Sequence, residues 1–203
     1  MERWDAAGSE PIDWDAMRGE PCFGGLDLSA VSDLTSFTLI WKRGGKVFIR
    51  PWFWIPGDGL DARCKTDNVR YDEWVRQGII ETVPGPAIRA DWIAERVSEI
   101  CAQYNVQHIA FDRWGARDVA QYLREQGLSI IEFGQGYASM SAPTKELESL
   151  VVSGLLMHEG NPVLRWNADC VDVASDPAGN IKPVKPKRSG TPARIDGIVA
   201  AIM

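Results

Sequence analysis

The chain has 203 residues, 45% of them hydrophobic, and a formal net charge of −6. That length fits one domain, or one domain with an extension, with enough apolar residues for a core. No run of about 18 apolar residues occurs, which excludes a membrane-spanning helix of ordinary length. Cys22, Cys64, Cys101 and Cys170 are scattered without CxxC spacing, which argues against a zinc site and a disulfide framework. The first residues lack an apolar h-region, so no secretion signal is expected, and a reducing, intracellular setting fits best.

Net acidity alone argues against a nucleic-acid partner, but the charge is unevenly spread. Residues 1–20 hold six acids against Arg3 and Arg18. Residues 181–194 hold Lys182, Lys185, Lys187, Arg188 and Arg194 and no acid. A local basic strip can hold phosphates on an acidic protein, or simply be a solvated loop.

In chain order, residues 1–20 are rich in tryptophan and acid without a clear period and read as a linker or peripheral arm. Residues 22–29 form a first strand and residues 36–42 a second. Gly44 and Gly45 in RGGK suit a tight hairpin turn into a third strand, VFIRPWFWIP, in which Trp52 and Trp54 share one face and Phe53 and Ile55 the other. Residues 57–86 are irregular and polar, with a short helical piece near 71–77. DWIAERVSEICAQYN predicts a helix capped by Asp91, with Ile93, Val97, Ile100 and Tyr104 on one face. VQHIAFD is a short buried strand ending at Asp112. GARDVAQYLREQG is a helix closed by Gly127, LSIIEFGQG a strand, and APTKELESLVVSG a helix with Pro143 near its first turn and Gly154 after its end. NPVLRWNADCVDVAS reads as a further helix, DPAGN as a turn, NIKPVKP as an extended segment, and RIDGIVAAIM as a final helix. The fold class is therefore α/β: a three-strand antiparallel meander joined to parallel strands in one mixed sheet flanked by helices, over residues 21–203.

Three aspartates stand at comparable places in that topology. Asp27 lies inside the first strand, Asp112 at the carboxyl end of the fourth, and Asp196 at the start of the last helix. With the fourth strand parallel and adjacent to the first, all three converge at the strand ends where open α/β sheets bind ligands. Clustered carboxylates repel and raise one another's pKa, a conflict that Mg²⁺ or Mn²⁺ resolves through oxygen ligands. Two such ions about 3.5–4 Å apart suit phosphoryl displacement, which needs no histidine. Each aspartate alone also fits a structural role: Asp27 at a bulge opened by Gly24 and Gly25, Asp112 as a helix cap, Asp196 as a first-turn acid. Asp33 reads as a turn cap or a further metal ligand.

Taken in order, GGLDLSAVSDLT, FWIP, YDEWVRQGII, IAFDRW, QG with ASMSAPTKELE, HEGNPVLRW, GNIKPVKPK and RIDGIVAAIM resemble the nuclease domain of the large terminase subunit of tailed phages, from about residue 14 to 203. The resemblance implies an RNase H-like fold and places the catalytic, metal-binding aspartates at Asp27, Asp112 and Asp196. It implies a metal-dependent endonuclease that cuts concatemeric viral DNA in the host cytoplasm. Double-stranded DNA, an ATPase motor domain, the small terminase subunit and the portal are its implied partners. No GxxxxGK[ST] occurs, and Gly44 to Lys46 is a hairpin turn, so no ATPase activity is expected of this chain. Cys170 departs from the pattern, since related sequences carry asparagine in that helix, and cysteine cannot replace its hydrogen bonds.

The prolines of residues 181–188 keep that segment extended, so Lys182, Lys185, Lys187 and Arg188 are read as DNA-backbone contacts, with Arg113 and Arg117 as further candidates. His158 and Asn161 in HEGNP read as a surface loop. Trp41, Trp52 and Trp54 read as sheet packing, and Trp4 and Trp14 as docking residues of the arm. Two other functions fit the same residues: a resolvase-type or transposase-type nuclease, and a DNA-binding or docking module with little activity of its own.

Overall fold

A computed structural model describes residues 1–28, 34–112, 117–186 and 192–203. The elements in chain order are α1 (Glu2–Ala7), β1 (Pro21–Asp27), β2 (Thr35–Arg43), β3 (Lys46–Pro56), α2 (Leu60–Asp67), α3 (Tyr71–Arg76), β4 (Glu81–Val83), α4 (Ala90–Cys101), β5 (Asn105–Asp112), α5 (Arg117–Glu125), β6 (Ile130–Phe133), α6 (Tyr137–Ser153), β7 (Leu156–Met157), α7 (Pro162–Asp169), β8 (Asp172–Ser175), β9 (Ile181–Val184) and α8 (Asp196–Ile202). Among the described residues the main sheet has seven strands, in the order β4-β3-β2-β1-β5-β6, with β7 also on β3.

The expected meander is present. β1 pairs antiparallel with β2 and β2 with β3, and the β2–β3 turn is closed by Gly44 and Gly45 at φ 57° and 79°. Both values lie in the left-handed region that a two-residue hairpin turn requires. β5 lies beside β1 in parallel and β6 beside β5 in parallel, so β1 is central and joins the antiparallel half to the parallel half.

Alternation along the strands divides the interior into two layers. On one face Cys22, Leu26, Phe37, Trp41, Trp54, Ile109 and Phe111 pack under α4 and α5, through Ile93, Val97, Val119 and Leu123. On the other face Ile49, Phe53 and Ile55 pack under α6, α7 and α8, through Met140, Val163, Leu164, Ile198 and Ile202. The split of Trp54 from Phe53 and Ile55 follows the period-two reading of VFIRPWFWIP.

Several elements differ from the sequence expectation. The helix expected over residues 161–175 stops at Asp169, and the chain turns into a separate hairpin of β8 and β9. Val171 and Val173 alternate with polar neighbours at strand spacing, a signal outweighed by the helical pattern before it. α6 begins five residues earlier than residue 142, leaving Pro143 inside the helix. Asp91 lies in the first turn of α4 and pairs with Arg89, which takes the N-cap position. The arm at residues 1–20 carries α1 and a 3-10 turn at Asp15–Met17, and Trp4, Trp14 and Met17 are buried in the core clusters. Tryptophan burial, rather than any regular period, holds this segment against the body.

Candidate active site

The strands that carry the acidic side chains place them by register. β1 and β5 pair in parallel with Gly25 opposite Ala110 and Leu26 opposite Phe111, so Asp27 and Asp112 end adjacent strands side by side. Leu26 and Phe111 fill the layer under α4 and α5, so their neighbours Asp27 and Asp112 take the opposite face. α8 lies on that face. A Cβ built on Gly25 would come within 1.9 Å of the Ala200 carbonyl oxygen, so the glycine allows backbone to meet backbone. Gly24 and Gly25 therefore do not open a bulge at Asp27. Gly25 clears room for the helix whose first residue is Asp196, while a Cβ on Gly24 would meet Phe37 and Ile109 on the opposite face.

α8 is fixed from its other side as well. The Gly197 amide donates to Asn167 Oδ1 at 2.7 Å, and Asn167 on α7 is fully buried. Arg194, just before the helix, pairs with buried Asp67 at 3.2 Å, and the Tyr71 hydroxyl donates to the same carboxylate oxygen at 3.0 Å. The polar residues 57–86, irregular in sequence, thus include the anchor for the approach to α8. Asn167 supplies the polar contact to α8; Cys170 ends α7, packs against the same core cluster and takes a hydrogen bond from the Arg194 backbone.

Electrostatics bind these groups into one site. Burial, then the Asp196 charge, and further the Asp112 charge, push the Asp27 carboxyl up to about 7. A hydrogen bond from Gln135 and the Lys185 charge act in the opposite direction. Gln135, two residues beyond β6, donates from Nε2 to Asp27 Oδ1 at 3.1 Å. Three neighbouring parallel strands therefore each deliver a polar side chain at or just past the carboxyl end: Asp27 from β1, Asp112 from β5, Gln135 from beyond β6.

Among the described residues, no three histidine, cysteine, aspartate or glutamate side chains close into a set that would hold an ion alone. The donors nevertheless suit a hard divalent cation. They are all oxygen, they repel one another, and Mg²⁺ commonly takes only one or two carboxylates and completes its shell with water and phosphate oxygens.

Of the basic residues, Lys185 stands near enough to Asp27 to lower its pKa, while Lys182 on β9 lies with its ammonium 5.0 Å over the Tyr137 ring. Arg117 is exposed at the start of α5. Asp33, Arg113, Lys187 and Arg188 lie outside the described residues. His158 is not on a surface loop: it is 1% exposed, lies 4.7 Å from the Trp4 ring and bonds the Trp4 carbonyl at 3.0 Å. Asn161 caps α7, accepting from the Val163 and Leu164 amides at 3.0 Å each. Gln135 and Asn167 were not singled out by sequence. Their only signals were position: one follows a strand end in a glycine-flanked link, and the other sits on the inner face of an amphipathic helix.

The family model described as "Terminase large subunit, endonuclease domain" matches residues 1–203. The large terminase subunit of Enterobacteria phage HK97 is 36% identical over 203 residues, covering 98% of this chain and 39% of that protein. The chain thus spans about two fifths of this relative's length. The crystal structure of the HK97 bacteriophage large terminase superposes with a TM-score of 0.89, covering 100% of this chain and 41% of that one at 36% identity. The large terminase nuclease of thermophilic phage G20c with bound magnesium shares the fold, with a TM-score of 0.58 at 14% identity over 89% of this chain and 78% of that one. With the whole chain matched and the RNase H-like mixed sheet in place, this protein belongs to the family of terminase large subunit endonuclease domains.

Proposed function

We propose that the domain is a divalent-metal-dependent endonuclease that hydrolyses DNA phosphodiesters at Asp27, Asp112 and Asp196, cutting concatemeric viral DNA during packaging in the host cell. The observation that carries this is the convergence of the three aspartates from β1, β5 and α8, with Asp27 pushed up to about 7 by burial and its acidic neighbours. Such a cluster is stable with ionised carboxylates only when positive charge arrives. Magnesium bound to the G20c nuclease, which shares this fold, supports a divalent ion as that charge.

A pair of Mg²⁺ or Mn²⁺ ions bound here would supply an activated water and charge stabilisation for the leaving oxygen. The residues supply the rest. Asp27 and Asp112 project from rigid strand ends, and Asp196 is held by the Gly25 contact and the Asn167 bond, so the donors are aimed before DNA arrives. Lys185, with Lys182, Lys187, Arg188 and Arg113, would hold the backbone by phosphate charge without reading sequence. An ATPase domain, a small terminase subunit and a portal are the partners that family membership supports.

The test is nicking and linearisation of supercoiled plasmid with Mn²⁺, Mg²⁺ or EDTA. The expected outcome is metal-dependent cutting, abolished by EDTA and by each of Asp27→Asn, Asp112→Asn and Asp196→Asn. Cutting that survives all three substitutions would sink the assignment. A folded wild type that cuts nothing at any metal concentration would make the domain a DNA-binding or docking module.

A further inference from the structure

We propose that Gln135 is a positioning residue for Asp27: its amide holds Oδ1, so that the carboxylate presents Oδ2 toward the space it shares with Asp112 and Asp196. The inference rests on the metal-site reading above and deepens it.

A carboxylate can only accept hydrogen bonds, so the Gln135 amide must turn its NH₂ group toward Asp27. Nε2 lies 3.1 Å from Oδ1, and its other neighbour is the Met203 sulfur at 3.8 Å, just beyond the end of α8. The side chain is half-buried and tied at both ends of the contact. It comes from the link after β6, whose register puts Phe133 opposite Asp112. The amide therefore belongs to the same sheet end as the acids and bridges 108 positions of sequence to reach Asp27.

The choice of an amide has a chemical reason. Lysine or arginine there would cancel the negative charge that attracts a cation and would compete with it for Asp27. Glutamate would add a fourth negative charge and donate nothing. A neutral donor alone fixes the carboxylate's orientation, favours its ionised form and leaves its charge in place. Outer partners of this kind hold ligands in the geometry a metal needs, and losing one typically weakens metal binding about 10–100-fold.

The experiment is calorimetric titration of Mn²⁺ into the purified domain as wild type, Gln135→Met, Gln135→Ala and Asp27→Asn, with melting in EDTA alongside. Gln135→Met keeps the bulk beside Met203 and removes the donor; Gln135→Ala covers the case in which methionine perturbs folding. The expected result is a Mn²⁺ affinity about 10–100-fold weaker in the Gln135 variants, with the EDTA melting temperature held. The Mn²⁺ concentration for half-maximal plasmid cutting should rise by the same factor, a shift that simple loss of packing would not produce. Wild-type Mn²⁺ affinity in a folded Gln135 variant, with binding lost in Asp27→Asn, would overturn the inference and leave the metal site standing. Equal binding, or none, in wild type and Asp27→Asn would overturn both.

Discussion

Gly25 shows how one missing side chain shapes the site. It lies on the face of β1 that also carries Asp27, and the Ala200 carbonyl occupies the space a Cβ would need. Gly25→Ala must push α8 outward, and Asp196 with it. The expected cost is about 1–3 kcal/mol of stability by urea unfolding, as for overpacked cores, together with a loss of plasmid cutting larger than that destabilisation explains. The convergence of the three aspartates was legible, because Asp27 is a charge inside an apolar strand and Asp112 and Asp196 stand at matching ends of the topology. The purpose of Gly25 was not, since a helix approaching from far along the chain leaves no local trace. Gln135 and Asn167 escaped for the complementary reason: neutral amides are ordinary in links and on helix faces, and only the fold gives them partners.

Among the elements, the N-terminal helix is held by unusual means. His158 bonds the Trp4 carbonyl through Nε2 and accepts from the Gly160 amide at Nδ1 at 3.1 Å, so the ring is neutral with its proton on Nε2. The backbone amide of His158 also donates to the Ala7 carbonyl at 3.0 Å. Trp4→Ala removes a side chain only 6% exposed and should cost about 3–5 kcal/mol in chemical denaturation. Elements with strong internal periods, such as α4 and β1 to β3, were readable from sequence. β4 and β7, of three and two residues, exist only because the edge of β3 offers them partners. α2 has no apolar stripe, and the Asp67 bonds to Arg194 and Tyr71 tie its end to the approach to α8. Such elements are products of tertiary pairing, which local pattern does not record.

At the scale of the molecule, two buried groups give stability opposite dependences on pH. Asp27 binds its proton more tightly folded than unfolded, so its contribution is present below about pH 4 and is lost as pH rises toward about 7. That loss reaches at most about 4 kcal/mol. His158 is held below its ordinary value of 6.5 by burial, so its contribution is present above 6.5 and is lost as pH falls below it. In EDTA, wild type should lose stability relative to Asp27→Asn between pH 5 and pH 8, measured by urea unfolding at each pH. An unchanged difference between the two proteins would contradict the burial and repulsion described at Asp27.

The distances in sequence between the site's parts have a further consequence, for the order of events in folding. Asp27, Asp112, Gln135 and Asp196 come from four separate stretches and meet only when β1 has received β5 and α8 has settled on Gly25. Contacts between such remote segments form late, because closing long loops costs entropy before it is rewarded. A chain that has folded only its meander, or has lost α8 to proteolysis, would hold no competent set of acids. On the proposed reading, the cutting activity then serves as its own proof of assembly: DNA is exposed to it only once the whole domain stands.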